Sequence, residues 1–351
     1  MTMLADRVDF VIGVDTHKDS HTAAVLSAAG ATLSRLTVPA TGRGYRELRL
    51  FVARAAVGRR VWALEGSGSY GAGLAAHLLE AGEWVVEIDR PKRPARRNGS
   101  KSDELDAERA AREAFGRDHL AQPRLRGDRE AMRVLVSTRQ GAVSARTSAI
   151  NLLKELVVNA PEDLRKQLRP LATPELVRHC AHMRTSSCRT TEYRVTVLAM
   201  RSAARRILAL GAEAADLEAE LEQIVGRVAP RLLAEPGVGA VTAAQILCAW
   251  SHPGRVRSEA AFASLAGAAP VPASSGQTVR YRLNRGGDRQ LNRALHTVAM
   301  SRLARDAETQ AYAARRTEEG KTPREIKRCL KRHLARRFFK LLESGDATLA
   351  A

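Results

Sequence analysis

The chain has 351 residues, 44 % hydrophobic and 27 % charged, which excludes wholesale disorder and a minimal disulfide scaffold and reads as two or three domains. Its formal charge of +19 is uneven: residues 1–90 hold ten Lys/Arg and ten Asp/Glu, whereas residues 91–351 hold 47 and 28. A cationic body behind a neutral head attracts polyanions, nucleic acid above all, because neutralising phosphates releases counterions; an anionic membrane surface would answer to the same charge.

The opening Met-Thr-Met-Leu-Ala-Asp-Arg-Val-Asp is acidic too early for a secretory signal. No apolar run reaches the ~18 residues of a membrane helix, so the sequence predicts a soluble, cytoplasmic protein without membrane contact. Cys180, Cys188, Cys248 and Cys329 form no CxxC pair, which predicts reduced structural thiols rather than a zinc ribbon.

In chain order, Val8–Val14 is an apolar strand ending at Asp15, and His21–Ala28 and Ala31–Pro39 are strands turned at Gly30. A helix near Gly44–Ala56 precedes a strand Arg60–Leu64 that stops at Glu65; a helix near Gly71–Ala81 and a strand Trp84–Ile88 follow. Three strands and then alternating helix and strand make an α/β layer with carboxylates at strand ends. Asp89–Ser102 is a basic, irregular loop, after which Ser102 can cap a helix whose first turn carries Asp103 and Asp106 on one face.

Beyond Gln122-Pro123 the pattern is helical. Met200, Ala203, Ile207, Leu210, Ala214, Leu217, Leu221, Ile224 and Val228 alternate gaps of three and four, which predicts a coiled coil stopped by Pro230, either between chains or as a hairpin against residues 129–158. After Leu232–Trp250 comes a Gly/Pro/Ser-rich loop from Gly267 to Leu283, then helices near Gln290–Arg305 and Pro323–Leu342. The last has an apolar stripe of Ile326, Leu330, Leu334, Phe338 and Leu341, with Lys327, Arg328, Lys331, Arg332 and Arg336 opposite: a solvated face or a nucleic-acid contact.

Asp15, Glu65, Asp103 and Asp106 are the first chemical constellation. Singly, Asp15 reads as a turn former and Asp103 as a first-turn helix acid; together, clustered oxygen ligands suit Mg²⁺ or Mn²⁺, and two such ions about 3.5–4 Å apart can polarise a phosphodiester. The segments Ile12-Gly13-Val14-Asp15-Thr16-His17-Lys18, Ala63-Leu64-Glu65-Gly66-Ser67-Gly68-Ser69-Tyr70 and Lys101-Ser102-Asp103-Glu104-Leu105-Asp106-Ala107 resemble the DEDD signature of the IS-one-ten (IS110) family of insertion-sequence transposases, and the resemblance extends over nearly the whole chain. It implies an N-terminal RuvC-like domain of the RNase H fold, with Asp15, Glu65, Asp103 and Asp106 as catalytic metal-binding acids. It also implies donor and target DNA as substrates, a structured noncoding bridge RNA as guide, and a bacterial, nucleoid-associated setting.

Pro236-Gly237-Val238-Gly239 looks like a helix-hairpin-helix turn, where Gly237 and Gly239 would let backbone amides approach a phosphate; a plain helix connection is the alternative. Read blindly, Ala273-Ser274-Ser275-Gly276 begins a flexible loop followed by Arg280, Arg282 and Arg285. By resemblance to the family's catalytic serine motif, Ser274 is the nucleophile, with Ser275 the adjacent alternative. The three arginines either neutralise charge on the reacting phosphate or grip the backbone. His17 and Lys18, beside Asp15, are structural or substrate-facing, or His17 carries a proton. Tyr70, Trp62, Trp84 and Trp250 read as packing residues.

The expected architecture is an RNase H-like domain at 1–120, a helical and coiled-coil segment at 121–229, a helical transposase domain with the catalytic serine at 230–345 and a tail at 346–351. The expected function is Mg²⁺-dependent DNA strand cleavage and rejoining by a dimer or tetramer. The rivals are a RuvC-like, Holliday-junction-type nuclease that uses water and a non-catalytic nucleic-acid-binding protein.

Overall fold

The computed structural model describes residues 3–88, 102–117, 120–124, 126–185, 190–273, 281–282, 284, 286–346 and 349. They belong to two compact units, Met1–Arg126 and Gly127–Ala351. Ser274, Ser275, Arg280, Arg285, Cys188 and most of the basic loop from Asp89 lie outside the described residues.

In the first unit, β1 (Phe10–Thr16), β2 (Ser20–Ser27) and β3 (Thr32–Pro39) form an antiparallel meander. Then come α1 (Gly42–Ala55), β4 (Arg60–Glu65), α2 (Ala72–Glu80), β5 (Val85–Ile88) and α3 (Asp103–Phe115). The sheet order is β3-β2-β1-β4-β5, with β1, β4 and β5 parallel, the mixed sheet expected of an RNase H-like domain. Central strands covered on both faces read as continuous apolar runs, as in Val11-Ile12-Gly13-Val14 and Val61-Trp62-Ala63-Leu64, whereas edge strand β3 alternates.

On one face Ile12, Val14, Trp62 and Leu64 pack with Leu48 and Val52 of α1 and Leu74 and Leu78 of α2. On the other, Val11, Leu26, Val61 and Ala63 pack with the alanine face of α3. Small side chains let α3 sit close, and Gly13 makes the contact possible: a Cβ there would stand 2.0 Å from the Ala107 carbonyl oxygen and 2.6 Å from the Ala111 amide nitrogen. Charge fixes the same helix, since Arg35 of β3 donates through Nε to Glu108 at 3.0 Å and Arg112 pairs with Glu108 at 2.9 Å. Burial would raise the Glu108 pKa, but the guanidinium groups of Arg35 and Arg112 outweigh it and hold the carboxyl below its usual value.

The second unit starts with α4 (Gly127–Val158), then α5 (Glu162–Leu168), α6 (Thr173–His182) and α7 (Thr191–Val228). The long helices α4 and α7 lie antiparallel, cross-linked by Arg139–Glu218 at 2.7 Å and Arg227–Asp128 at 2.8 Å. The heptad stripe serves this pairing inside the chain: Met200, Ala203, Ile207, Ala214, Leu221 and Val228 are buried, and Leu210, Leu217 and Ile224 half-buried. Met200 to Ile207 share one core with Ala149, Leu153 and Val157, and with Leu164 and Leu168 of α5 and Leu176 to Ala181 of α6.

After α8 (Pro230–Leu233), α9 (Ala240–Trp250) and α10 (Glu259–Leu265), a short hairpin of β6 (Val271–Pro272) and β7 (Tyr281–Arg282) precedes α11 (Arg289–Arg305), α12 (Ala307–Glu318) and α13 (Pro323–Leu341). A second core joins the base of α4 and α7 to α9, α10, α11 and α13 through Met132, Leu221, Trp250, Phe262, Leu295 and Phe338. The apolar pattern does not mark α12, whose residues are mostly polar and which buries only Thr309 among them; Asp306 caps it by accepting from the Thr309 amide at 3.0 Å. Trp62 and Trp250 are core, as expected, but Trp84 is half-buried under the Arg7 guanidinium, 4.9 Å from its ring. Cys180, Cys248 and Cys329 are free thiols, and burial pushes the first two up to about 11, so they stay protonated.

Candidate metal centre and nucleic-acid-binding surface

Asp15 lies near the end of β1, and the parallel register that matches Val14 with Leu64 sets Glu65 beside it on the neighbouring strand. The Thr16 hydroxyl donates to the Glu65 carbonyl at 2.8 Å and ties the two strand ends together. Side chains alternate along a strand, so Asp15 faces α3 with Val11 and Gly13, and the close seat of that helix brings in its first turn. Asp103 arrives at one end of the cluster, with 48 % of its side chain exposed against 10 % for Asp15. Asp106, one turn along, has Arg109 at 2.6 Å. Ser102 occupies the position before the helix but makes no side-chain capping bond among the described residues.

The side chain that joins two of these acids is His17. Its Nε2 stands 3.1 Å from Asp15 Oδ2 and 3.3 Å from Asp103 Oδ1, and one ligand atom of each residue lies within 4.8 Å of the others. Two residues beyond Asp15, His17 repeats the strand period, which is the signal by which the sequence could have placed it there. The tight connection to β2 holds it, with the His17 amide donating to the Ser20 carbonyl at 3.0 Å.

Electrostatics make the centre receptive to a cation. Burial raises the Asp15 pKa, His17 opposes that shift, and Asp103 and Asp106 add to it. A buried carboxyl surrounded by acids is a group whose charge a divalent ion would stabilise, and two carboxylates with an imidazole are an ordinary donor set for one. Tyr70, expected to pack, is instead 59 % exposed.

In the second unit the turn Glu235–Gly239 joins α8 to α9. Gly237 has φ +76, a conformation that favours glycine, and a Cβ there would stand 3.1 Å from the Ser301 side chain. Glu235 anchors the turn through Arg302 at 2.7 Å and Arg337 at 2.9 Å. The Gly239 amide donates to Thr242 Oγ1 at 3.0 Å, so that amide is engaged inside the protein.

The basic face of α13 divides in two. Arg336 and Lys340 pair with Glu259, whereas Arg328, Lys331 and Arg332 line a cleft of about 240 Å³ with Arg282, Tyr281 and Lys321. Arg282 from the serine-loop hairpin and the α13 cations were separate features of the sequence, and this cleft unites them. Lys331 Nζ donates to Asn292 Oδ1 at 3.0 Å, and its burial lowers its pKa, helped by Arg328. Lys327 is half-buried on the same helix and is not part of that lining. No helix among the described residues is long and apolar enough to cross a membrane.

Comparison with known proteins decides the family. Residues 12–160 match the DEDD transposase family model of IS110 type, and residues 229–314 match the model of the transposase IS116/IS110/IS902 family. The chain belongs to the IS110 family of transposases. The first IS110 match contains Asp15, Glu65, Asp103 and Asp106, and the second contains Gly237, Gly239, Ser274, Arg280, Arg282 and Arg285 but ends before α13. The chain is similar to the insertion element IS110 uncharacterized 43.6 kDa protein of Streptomyces coelicolor, at 33 % identity over 132 residues, which is 37 % of this chain. The match spans a third of that relative's length, 33 %.

Proposed function

We propose that the protein is a DNA transposase that cleaves and rejoins strands, with Asp15, Glu65, Asp103 and Asp106 as the acids of a divalent-metal centre and Ser274 as the nucleophile. The observation that carries the reading is the meeting of Asp15 and Asp103 on the α3 side of the sheet, with Glu65 in register beside Asp15. Asp15, Asp103 and Glu65 would hold Mg²⁺ or Mn²⁺, and Asp106 would join them by exchanging its contact with Arg109. An ion held there would supply Lewis acidity to a phosphate and stabilise its leaving oxygen.

The Ser274 hydroxyl, weak at neutral pH, would give its proton to solvent as its oxygen bonds to phosphorus; the bond from phosphorus to the 3′ or 5′ oxygen would break, that oxygen taking a proton from solvent to leave as a hydroxyl, and the phosphoserine ester would keep the bond energy for rejoining. Arg280, Arg282 and Arg285 follow Ser274 closely and would offset charge on the reacting phosphate or hold the adjoining backbone. The cationic cleft lined by Arg282, Arg328 and Lys331 supports nucleic-acid binding through phosphate rather than through bases. Lys327 adds to the same helix, and Gly237 and Gly239 keep the α8–α9 turn compact for a backbone contact.

A bridge RNA pairing with donor and target DNA would use the same positive field, and the excess charge of residues 91–351 is large enough to serve both polymers. A homo-oligomer fits the outer sides of the α4/α7 pair, where Val134, Leu152, Val195, Leu198 and Leu208 are exposed.

The test incubates protein, RNA from the flanking DNA and labelled junction DNA with Mg²⁺, and looks on a denaturing gel for protein joined covalently to DNA. Loss of the adduct in Ser274→Ala and Asp15→Ala, with Ser275→Ala retaining it, supports the reading. Cleavage without adduct that survives Ser274→Ala replaces the serine with water.

A further inference from the structure

We propose that His17 is itself a ligand of the metal centre, and that its imidazole tilts the centre away from Mg²⁺ and toward Mn²⁺ and later divalent ions. The inference rests on the reading that Asp15 and Asp103 hold a divalent metal, and it adds a nitrogen ligand outside the four acids.

Geometry gives the first reason. Cis ligands of an octahedral ion bound at ~2.1 Å stand ~3 Å apart. The Nε2 of His17 is 3.1 Å from one carboxylate oxygen and 3.3 Å from another, on two different elements. Those separations are ligand-to-ligand spacings. They also match an imidazolium hydrogen-bonded to both acids, so the measurement has to separate a metal–nitrogen bond from an ion pair.

The second reason is how the side chain is held. Asp15 is pinned by the strand, Asp103 by the seat of α3 on Gly13, and His17 by the closed turn to β2. A strand, a helix and a closed turn thus present the three atoms to one another. With 40 % of its side chain exposed, His17 does not fill a core position, so packing does not explain why a histidine stands there.

Chemistry then sets the consequence. Mg²⁺ takes oxygen ligands and dehydrates reluctantly, whereas imidazole suits transition ions and binds them more tightly along the series from Mn²⁺ upward. A centre of two carboxylates and one imidazole therefore prefers Mn²⁺ to Mg²⁺, and an all-oxygen variant, His17→Asp, narrows that preference.

The test uses the purified full chain, without nucleic acid, titrated with Mn²⁺ and followed by electron paramagnetic resonance. Free Mn²⁺ gives the affinity, and electron spin-echo modulation from ¹⁴N reports a nitrogen bound to the ion. We expect ¹⁴N modulation in the wild type and none in His17→Ala or His17→Gln, with affinity for Mn²⁺ about tenfold or more lower in both. We expect His17→Asp to bind Mn²⁺ without ¹⁴N modulation and to compete better with Mg²⁺ than the wild type does. Binding that Asp15→Asn abolishes but that shows no ¹⁴N modulation in the wild type overturns the His17 proposal and leaves the acidic centre standing. Binding unaffected by Asp15→Asn overturns the acidic centre and this proposal with it.

Discussion

Replacing Gly13 by alanine tests how α3 is seated. The new Cβ would lie 2.0 Å from the Ala107 carbonyl oxygen, 2.6 Å from the Ala111 amide nitrogen and 2.9 Å from the Ala111 Cβ. Two of these three neighbours are backbone, so no rotamer change relieves them. Relaxing the shortest contact to an ordinary one requires the helix to lift by about 1.4 Å, and overpacking of this kind costs about 1–3 kcal/mol. Because α3 carries Asp103 and Asp106, the same shift would open the proposed metal centre, and a misplacement of even ~1 Å would cost about 100-fold in rate there.

Hydrogen exchange followed by mass spectrometry reads the effect where it occurs. Peptides covering 103–115 should exchange about 5- to 150-fold faster in Gly13→Ala, the equivalent of that free-energy loss. Peptides from α1 and α2, on the other face of the sheet, should change little. Adding Ala111→Gly removes only the side-chain contact and leaves the two backbone ones, so it should not restore protection. Unchanged exchange in α3 together with unchanged Mn²⁺ affinity would refute the close seating of α3 on β1.

Acid sensitivity should come partly from His21, which is fully buried and stacked on Tyr45 at 5.6 Å between ring centres. Burial lowers its pKa below the usual 6.5, so the unfolded chain takes up the proton first and stability falls as pH drops below about 6.5; His21→Phe should flatten that part of a thermal-unfolding pH profile. Burial would raise the Glu235 pKa, but bonds from Arg337 and Arg302 hold it below its usual 4.5, a contribution present above that value and lost as pH falls. Glu235→Gln should cost about 2 kcal/mol at neutral pH in denaturant unfolding, because Arg302 is left nearly buried without its counter-charge. Arg328→Ala and Lys331→Ala should each reduce by about one the slope of log affinity for duplex DNA against log salt, with no change in sequence preference. Leu221→Ala, fully buried where α7 meets the base of its unit, should cost about 2–5 kcal/mol in the same unfolding assay.

The positions of the strands of the first unit were legible because strands buried on both faces write themselves as unbroken apolar runs. Asp15 and Glu65 stood out for the same reason: each is a carboxylate placed where such a run ends. The heptads showed that α7 has a partner but not which one, since a three-four spacing is equally served by a second chain or by α4. The Arg139–Glu218 and Arg227–Asp128 pairs, each between residues far apart in sequence, are what select α4.

His17 was noticed as a neighbour of Asp15, yet its contact with Asp103 depends on how closely α3 approaches β1. That closeness is written in Gly13 and the alanines of α3, residues that look featureless one at a time. Tyr70 misled because aromatic side chains are usually packed; here it lies in an exposed turn. The Arg109 contact to Asp106, three residues apart on a helix, follows from spacing alone.

The long pair formed by α4 and α7 has one further consequence. Its 38-residue partner extends about 57 Å at the usual helical rise. One core closes its distal end around α5 and α6, and another closes its base around α9, α11 and α13. Between them, over residues 133–148 and 208–220, only Ala142 and Ala214 are buried. The pair is therefore a rod with well-packed ends and a thinner waist, where two buried methyl groups, half-buried Leu210, Leu217 and Val143, and the surface pair Arg139–Glu218 hold the helices together, while Leu135, Val136 and the Arg293–Gln140 bond of 2.9 Å tie its lower part to the base. Bending or local melting of the rod should begin at that waist, so the distal helices can swing as a unit while both cores stay intact.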